Sequence, residues 1–149
     1  MDGLLRQLPQ GIRIASATDI PWIIDLCLGV YPPGYFDPQA AWEWLARMIV
    51  SPKFLVLCGR KSWLCVTITS PDYQPTIKEG AFLPVAGHAG KELFIMTKIA
   101  VQWCFDQGAH KVYVGAVTGR DLGPLARYVG AVPVSPTYEV TRDVFQANR

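Results

Sequence analysis

One stretch narrows the fold of this chain more than any other. It is an extended apolar run at Ile77–Val85, the turn Gly87-His-Ala-Gly90, a long amphipathic segment reaching Gln107, and a second strand-like run at Lys111–Ala116. In the middle piece Leu93, Met96, Ile99, Ala100 and Trp103 recur at three- and four-residue spacing, which lines one face of a helix. Gly108 follows as a residue able to take the left-handed conformation that ends helices. Strand, helix, strand in this order is a crossover unit, right-handed in nearly all proteins, and it makes its two strands parallel. Pro84 is expected near the end of the first strand, where a missing N–H donor matters least.

The remaining elements surround that unit. Ile12–Ala15 alternates apolar and polar as a half-buried strand does, and Ser16–Asp19 then starts a helix with Pro21 in its first turn. Ile20, Ile23, Ile24, Cys27 and Leu28 form that helix's apolar face, and the constrained aromatic loop Tyr31–Phe36 stops it. Asp37-Pro38 begins a second helix, with Trp42, Leu45, Met48 and Ile49 as its buried stripe up to Ser51-Pro52. Phe54–Cys58 and Trp63–Thr69 read as an antiparallel hairpin joined by Gly59–Ser62. After Lys111–Ala116 come a short helix at Leu122–Val129 and one or two closing strands at Ala131–Val134 and Tyr138–Arg142. The order β-α-α-β-β-β-α-β-α-β, without repeats, predicts a mixed α/β architecture.

Composition bounds what such a domain can do. At 149 residues, half of them apolar or aromatic, the chain is expected to form one domain, with residues 1–10 a loose leading segment. The net charge of +2 is scattered, its densest arginines being Arg120, Arg127, Arg142 and Arg149, so no basic stripe points to nucleic acid. Cys27, Cys58, Cys65 and Cys104 lie in apolar runs, not in paired metal-ligand spacing, and read as reduced core thiols. No metal motif is present, nor a Gly-x-Ser-x-Gly or P-loop signature. MDGLLRQLPQG lacks the apolar run of a signal peptide, and no segment has the roughly 20 apolar residues that span a bilayer. A cytoplasmic protein without a membrane partner is expected.

The element order over Ile12–Arg142 resembles the GNAT superfamily, the acetyl-CoA-dependent N-acyltransferases. Two segments carry the resemblance most specifically. Phe82-Leu-Pro-Val-Ala-Gly-His-Ala-Gly-Lys-Glu-Leu93 looks like the family's fourth strand, pyrophosphate loop and third helix, and Gly119–Val132 looks like the helix that follows the fifth strand and ends in Gly-Phe. The resemblance implies a mixed central sheet whose parallel fourth and fifth strands splay apart around the pantetheine arm of CoA. It places Phe82, Leu83 and Val85 along that arm, and Gly87, His88, Ala89, Gly90 and Lys91 at the pyrophosphate, where helix N–H groups and the helix dipole favour an anion. Arg120 falls at or next to the position of a usual asparagine in the same cofactor site. The implied co-substrate is acetyl-CoA without a metal, and the implied partner is an amine of a small molecule or protein, handled by a monomer or homodimer.

For the chemistry, the resemblance offers Glu79 as the first candidate base, with His88 in the cofactor loop and Tyr138 near the closing strands as further proton-transfer candidates. It makes Tyr31, Tyr35 and Phe36 a wall of the acceptor pocket. The sequence also departs from the family pattern. Gly87 stands where glutamine or arginine is usual, and Glu92 stands at a small-residue position where a carboxylate would oppose the pyrophosphate. Ala126 replaces a tyrosine that commonly protonates the thiolate, and Tyr128 sits about 200° around the helix from it. The Tyr-Pro-Pro loop and the ending Ala-Arg-Tyr-Val-Gly-Ala-Val-Pro look like GNAT-like proteins of tailed bacteriophages. Two other functions therefore stand beside acyl transfer: a catalytically inactive phage accessory, host-interaction or virion-associated protein, and a GNAT-like enzyme modifying nucleic-acid bases.

Overall fold

The computed structural model describes residues 7–87, 90–115, 123–134 and 140–147. Its elements are β1 (Arg13–Ile14), a 3-10 turn (Ala17–Asp19), α1 (Ile20–Val30), α2 (Pro38–Val50), β2 (Phe54–Cys58), β3 (Ser62–Thr69), β4 (Glu79–Gly87), α3 (Lys91–Asp106), β5 (Lys111–Tyr113), α4 (Gly123–Tyr128) and α5 (Arg142–Ala147). The strands form one sheet in the order β1-β2-β3-β4-β5, antiparallel up to β4 and parallel between β4 and β5. The crossover unit expected from the sequence accounts for that parallel pair.

Alternation along the strands builds two apolar layers. Leu55, Leu57, Leu64, Val66 and Phe82 pack under α3 with Met96, Ala100, Trp103 and Cys104. Val56, Cys58, Trp63 and Cys65 pack on the other face with Ile20, Ile23, Ile24 and Cys27 of α1 and Leu45 of α2. Leu8, within the segment expected to be loose, packs on the α3-side layer.

Gly80 is a packing requirement in β4: a Cβ there would stand 2.7 Å from Cys104 Sγ, so α3 approaches the strand at its backbone. Gly108 has φ +92° and ends α3 as the sequence predicts, with its N–H donating to the Phe105 carbonyl and that of Ala109 to Cys104. His110 N–H then donates to the Lys78 carbonyl at 2.8 Å, which brings β5 in beside β4.

Several expectations are corrected. Leu28 (49% exposed) and Trp42 (42%) face outward, because α1 and α2 each bury a narrower stripe than their apolar residues suggested. Trp22 turns its indole N–H to Asp19 Oδ1 at 3.0 Å. Pro84 lies inside β4, not near its end. Ala131–Val134 is not a strand, and Arg142, expected in a strand, begins α5. The remaining residues of the second expected closing strand, apart from Val140 and Thr141, lie outside the described residues.

Candidate active site

The decisive geometry is in β4. Val66 pairs with Phe82 and Leu64 with Val85, so between these pairs β3 advances past Cys65 alone while β4 advances past Leu83 and Pro84. The extra residue is a β-bulge, and proline fits it because a bulge leaves one residue out of the ladder. On its other side β4 pairs with β5 only through Glu79↔Lys111, Gly80↔Val112 and Ala81↔Tyr113. From Phe82 onward the backbone of β4 has no β5 partner among the described residues. A bulge bends its strand, and this one lies immediately after the last parallel pair, so it parts the two strands.

β4 ends at Gly87, and Gly90 is the N-cap of the 16-residue α3. A Cβ built on Gly90 would meet nothing within 4 Å, so its backbone is open to a ligand. Lys91, the first residue of the helix, is exposed. Glu92 does not face this opening in the way the sequence comparison suggested. Its carboxylate lies over the β2–β3 turn, accepting the N–H of Lys61 through Oε1 and of Arg60 through Oε2, each at 2.9 Å. The anion thus caps a hairpin 31 and 32 residues away in sequence, and its charge is engaged there.

The expected site residues divide as follows. Phe82 is buried under α3 at 8% exposure, so its backbone, not its ring, faces the parting of the strands. Leu83 at the bulge packs on the opposite layer, with α1 and α2. Val85 and Gly87 lie on the free part of β4. Glu79 pairs with Lys111 at the closed end; since Gly80 faces Cys104 under α3, Glu79 projects on the α1–α2 side. His88, Ala89, Arg120 and Tyr138 lie outside the described residues. Ala126 lines the groove between α4 and β5, whereas Tyr128 meets Phe94 of α3 edge to face at 5.1 Å. Tyr128 therefore does not stand in for a tyrosine at 126.

Tyr31, Tyr35 and Phe36 do come together. Tyr31 stacks on Tyr35 and on Phe36, each with centroids 5.5 Å apart, and the group closes one side of a pocket of about 320 Å³. Cys27, Trp44 and Trp63 complete most of the lining, with Ala40, Ala41 and Leu45 on its α2 wall. Trp44 and Trp63 fall at helix and strand core spacing in the sequence; the signal for a further role was their company around a Tyr-Pro-Pro-Gly turn. Trp63 is 1% exposed, and its indole N–H has no hydrogen-bond acceptor among the described residues. The neighbouring Cys27 sulfur, a weak acceptor, interacts with it. Burial pushes the Cys27 thiol up to about 11, with the indole N–H opposing the shift, and pushes Cys58, Cys65 and Cys104 up to about 12. All four are free, protonated thiols at neutral pH, which disfavours nucleophilic chemistry.

No protein-family model matches the sequence, and no curated protein is similar to it by sequence. Solved structures do resemble it. Glucosamine-6-phosphate N-acetyltransferase of Arabidopsis thaliana superposes with a TM-score of 0.68 at 15% identity, covering 89% of this chain and 97% of its own. Aminoglycoside 6′-N-acetyltransferase of Acinetobacter haemolyticus gives 0.67 at 10% identity, covering 88% and 97%. A Clostridium acetobutylicum protein described as a predicted acetyltransferase, solved with acetyl-CoA, gives 0.67 at 12% identity, covering 87% and 94%. The fold is that of the GNAT acetyltransferases.

In this GNAT fold the bulge and the parting of β4 from β5 lie on the strand that ends at Gly87, three residues before the Gly90 helix entry in sequence. Among the described residues no group of three or more His, Cys, Asp or Glu could hold a metal, and no helix is long and apolar enough to cross a membrane.

Proposed function

We propose that this protein transfers an acyl group, most simply acetyl, from acyl-CoA to an amine. The observation that carries the reading is the β4 edge after the Leu83-Pro84 bulge, without a β5 partner among the described residues, together with an open Gly90 at a long helix N-terminus. The residues fit the co-substrate. Backbone groups of Phe82–Gly87 would hold the pantetheine arm as a strand would, and the first N–H groups of α3 with Lys91 would receive the pyrophosphate. Glu92, bound to the hairpin, leaves that anion site without an opposing charge aimed at it. This removes one of the sequence arguments for an inactive accessory protein.

Bound acyl-CoA would supply an activated thioester carbonyl. Attack by the amine nitrogen forms the amide as the carbon–sulfur bond breaks; CoA leaves as a thiolate that takes a proton from solvent, and the amine must give up a proton. Glu79 is the carboxylate we assign to receive it, directly or through water, because it projects from the paired segment of β4 on the α1–α2 side, the side of the aromatic pocket. The acceptor, whether a small molecule or a protein, lies on the α1–α2 side of the sheet in this reading.

Calorimetric titration with acetyl-CoA tests the proposal, and absence of binding at millimolar concentration would sink it. Gly90→Leu is a sharp companion variant. Gly90 has φ 160° and open space at its Cβ, so leucine fits the fold, yet its side chain would occupy the anion's approach. The expected result is an unchanged melting temperature with lost acetyl-CoA affinity; retained affinity refutes the site.

A further inference from the structure

We infer that the pocket between α1, α2 and the sheet receives an uncharged aromatic ring carried by the acceptor amine, an inference that rests on the acyl-transfer reading above. The chemistry of the walls carries it. Tyr31, Phe36, Trp44 and Trp63 present rings, and stacked or edge-on contacts reward a planar aromatic group beyond its buried area. An alkyl chain would fill the same volume without those contacts.

Charge selects in the same direction. Among the described residues no charged side chain lines the pocket, so a polycation entering it would lose hydration and find no carboxylate. The aminoglycoside and amino-sugar acceptors named for structural neighbours are therefore poor matches to these walls. Size selects as well: about 320 Å³ is near the lower end of ligand pockets, roughly 300–1,000 Å³, which suits one or two fused rings.

Position connects this pocket to the opening in the sheet. Leu83, at the bulge that parts β4 from β5, packs on the same cluster as Tyr31, Phe36 and Trp63. A ring seated among these residues lies on the face from which Glu79 projects, and the amine tail would extend from the ring toward the parted strands. The Trp63 N–H, buried among the described residues with only the weak Cys27 sulfur beside it, is a further donor that a polar atom on the ring would satisfy.

The test uses the whole chain and two probes, phenethylamine and spermidine, titrated separately with tryptophan emission as the readout, since Trp44 and Trp63 line the pocket. Trp63→Ala is unsuitable as a control because emptying so buried a site endangers the fold. Ala40→Phe serves instead: Ala40 is exposed on α2 yet lines the pocket, so phenylalanine plugs the entrance from the surface.

Saturable quenching by phenethylamine, none by spermidine, and a loss of about tenfold or more in phenethylamine affinity in Ala40→Phe at unchanged melting temperature are expected. No saturable phenethylamine binding, equal binding of spermidine, or unaltered affinity in the plugged variant overturns the inference. Acetyl-CoA binding is measured on the same protein. Acetyl-CoA binding without phenethylamine binding overturns the aromatic acceptor alone, whereas phenethylamine binding without acetyl-CoA binding overturns acyl transfer and, with it, the assignment of the ring to an acceptor.

Discussion

The contact between Glu92 and the β2–β3 turn can be measured by a double-mutant cycle with Gly59. A Cβ on Gly59 would stand 2.3 Å from Glu92 Cδ and Oε1 and 2.8 Å from Cγ, so Gly59→Ala must displace the carboxylate. Displacement breaks the hydrogen bonds from Arg60 and Lys61, both on exposed residues where water replaces the lost acceptor. At about 0.5–1.5 kcal/mol per bond, Gly59→Ala should cost about 1–2 kcal/mol after solvent compensation. Glu92→Ala removes the same two bonds and should cost a similar amount. The double variant should then be no less stable than Glu92→Ala. It should gain about 0.4–1 kcal/mol, because alanine narrows the unfolded ensemble and Gly59 does not have the positive φ that would strain it. The coupling energy expected is therefore about 1–2 kcal/mol, read from urea unfolding followed by tryptophan fluorescence at constant m-value. Additive costs, within about 0.5 kcal/mol, would refute the placement of the carboxylate over the turn.

Three further outcomes follow from other parts of the fold. The Arg13 guanidinium, together with the Ser16 N–H and the Trp22 indole, holds the buried Asp19 carboxyl well below the usual carboxylate range against the opposing effect of burial. With the folded value below the unfolded one, this carboxylate stabilises the fold at neutral pH, and that stability is lost as pH falls below about 4; in Asp19→Asn the acid-side slope should be shallower by up to about 1.4 kcal/mol per pH unit, measured by denaturation at several pH values. Gly80→Val should destabilise by about 1–3 kcal/mol or more in thermal unfolding, because its Cβ meets Cys104 at 2.7 Å; an unchanged melting temperature would contradict the close approach of α3 to β4. The four cysteines should resist a thiol reagent at pH 8 in the native protein and react fully in denaturant, and rapid native labelling would contradict their raised pKa values and burial.

The amino-acid order by itself determined the crossover unit, because a strand, an amphipathic helix closed by Gly108 and a second strand leave few topologies open. It also determined the two-sided apolar pattern of the sheet and the aromatic loop at Tyr31–Phe36, since periodicity and turn residues act over a few positions. Tertiary structure decided what those positions face. Pro84 read as strand punctuation until pairing with β3 made it part of the bulge that separates β4 from β5. Glu92 read as an obstacle to an anion until its partners proved to be the backbone N–H groups of Arg60 and Lys61. Trp42 and Trp44, two positions apart on one helix, have different surroundings, the first exposed and the second lining the pocket. Local propensity reports which side of an element is apolar, but the destination of a carboxylate, the register of a strand and the lining of a cavity are set by residues distant in the chain, and these become neighbours only when the sheet closes.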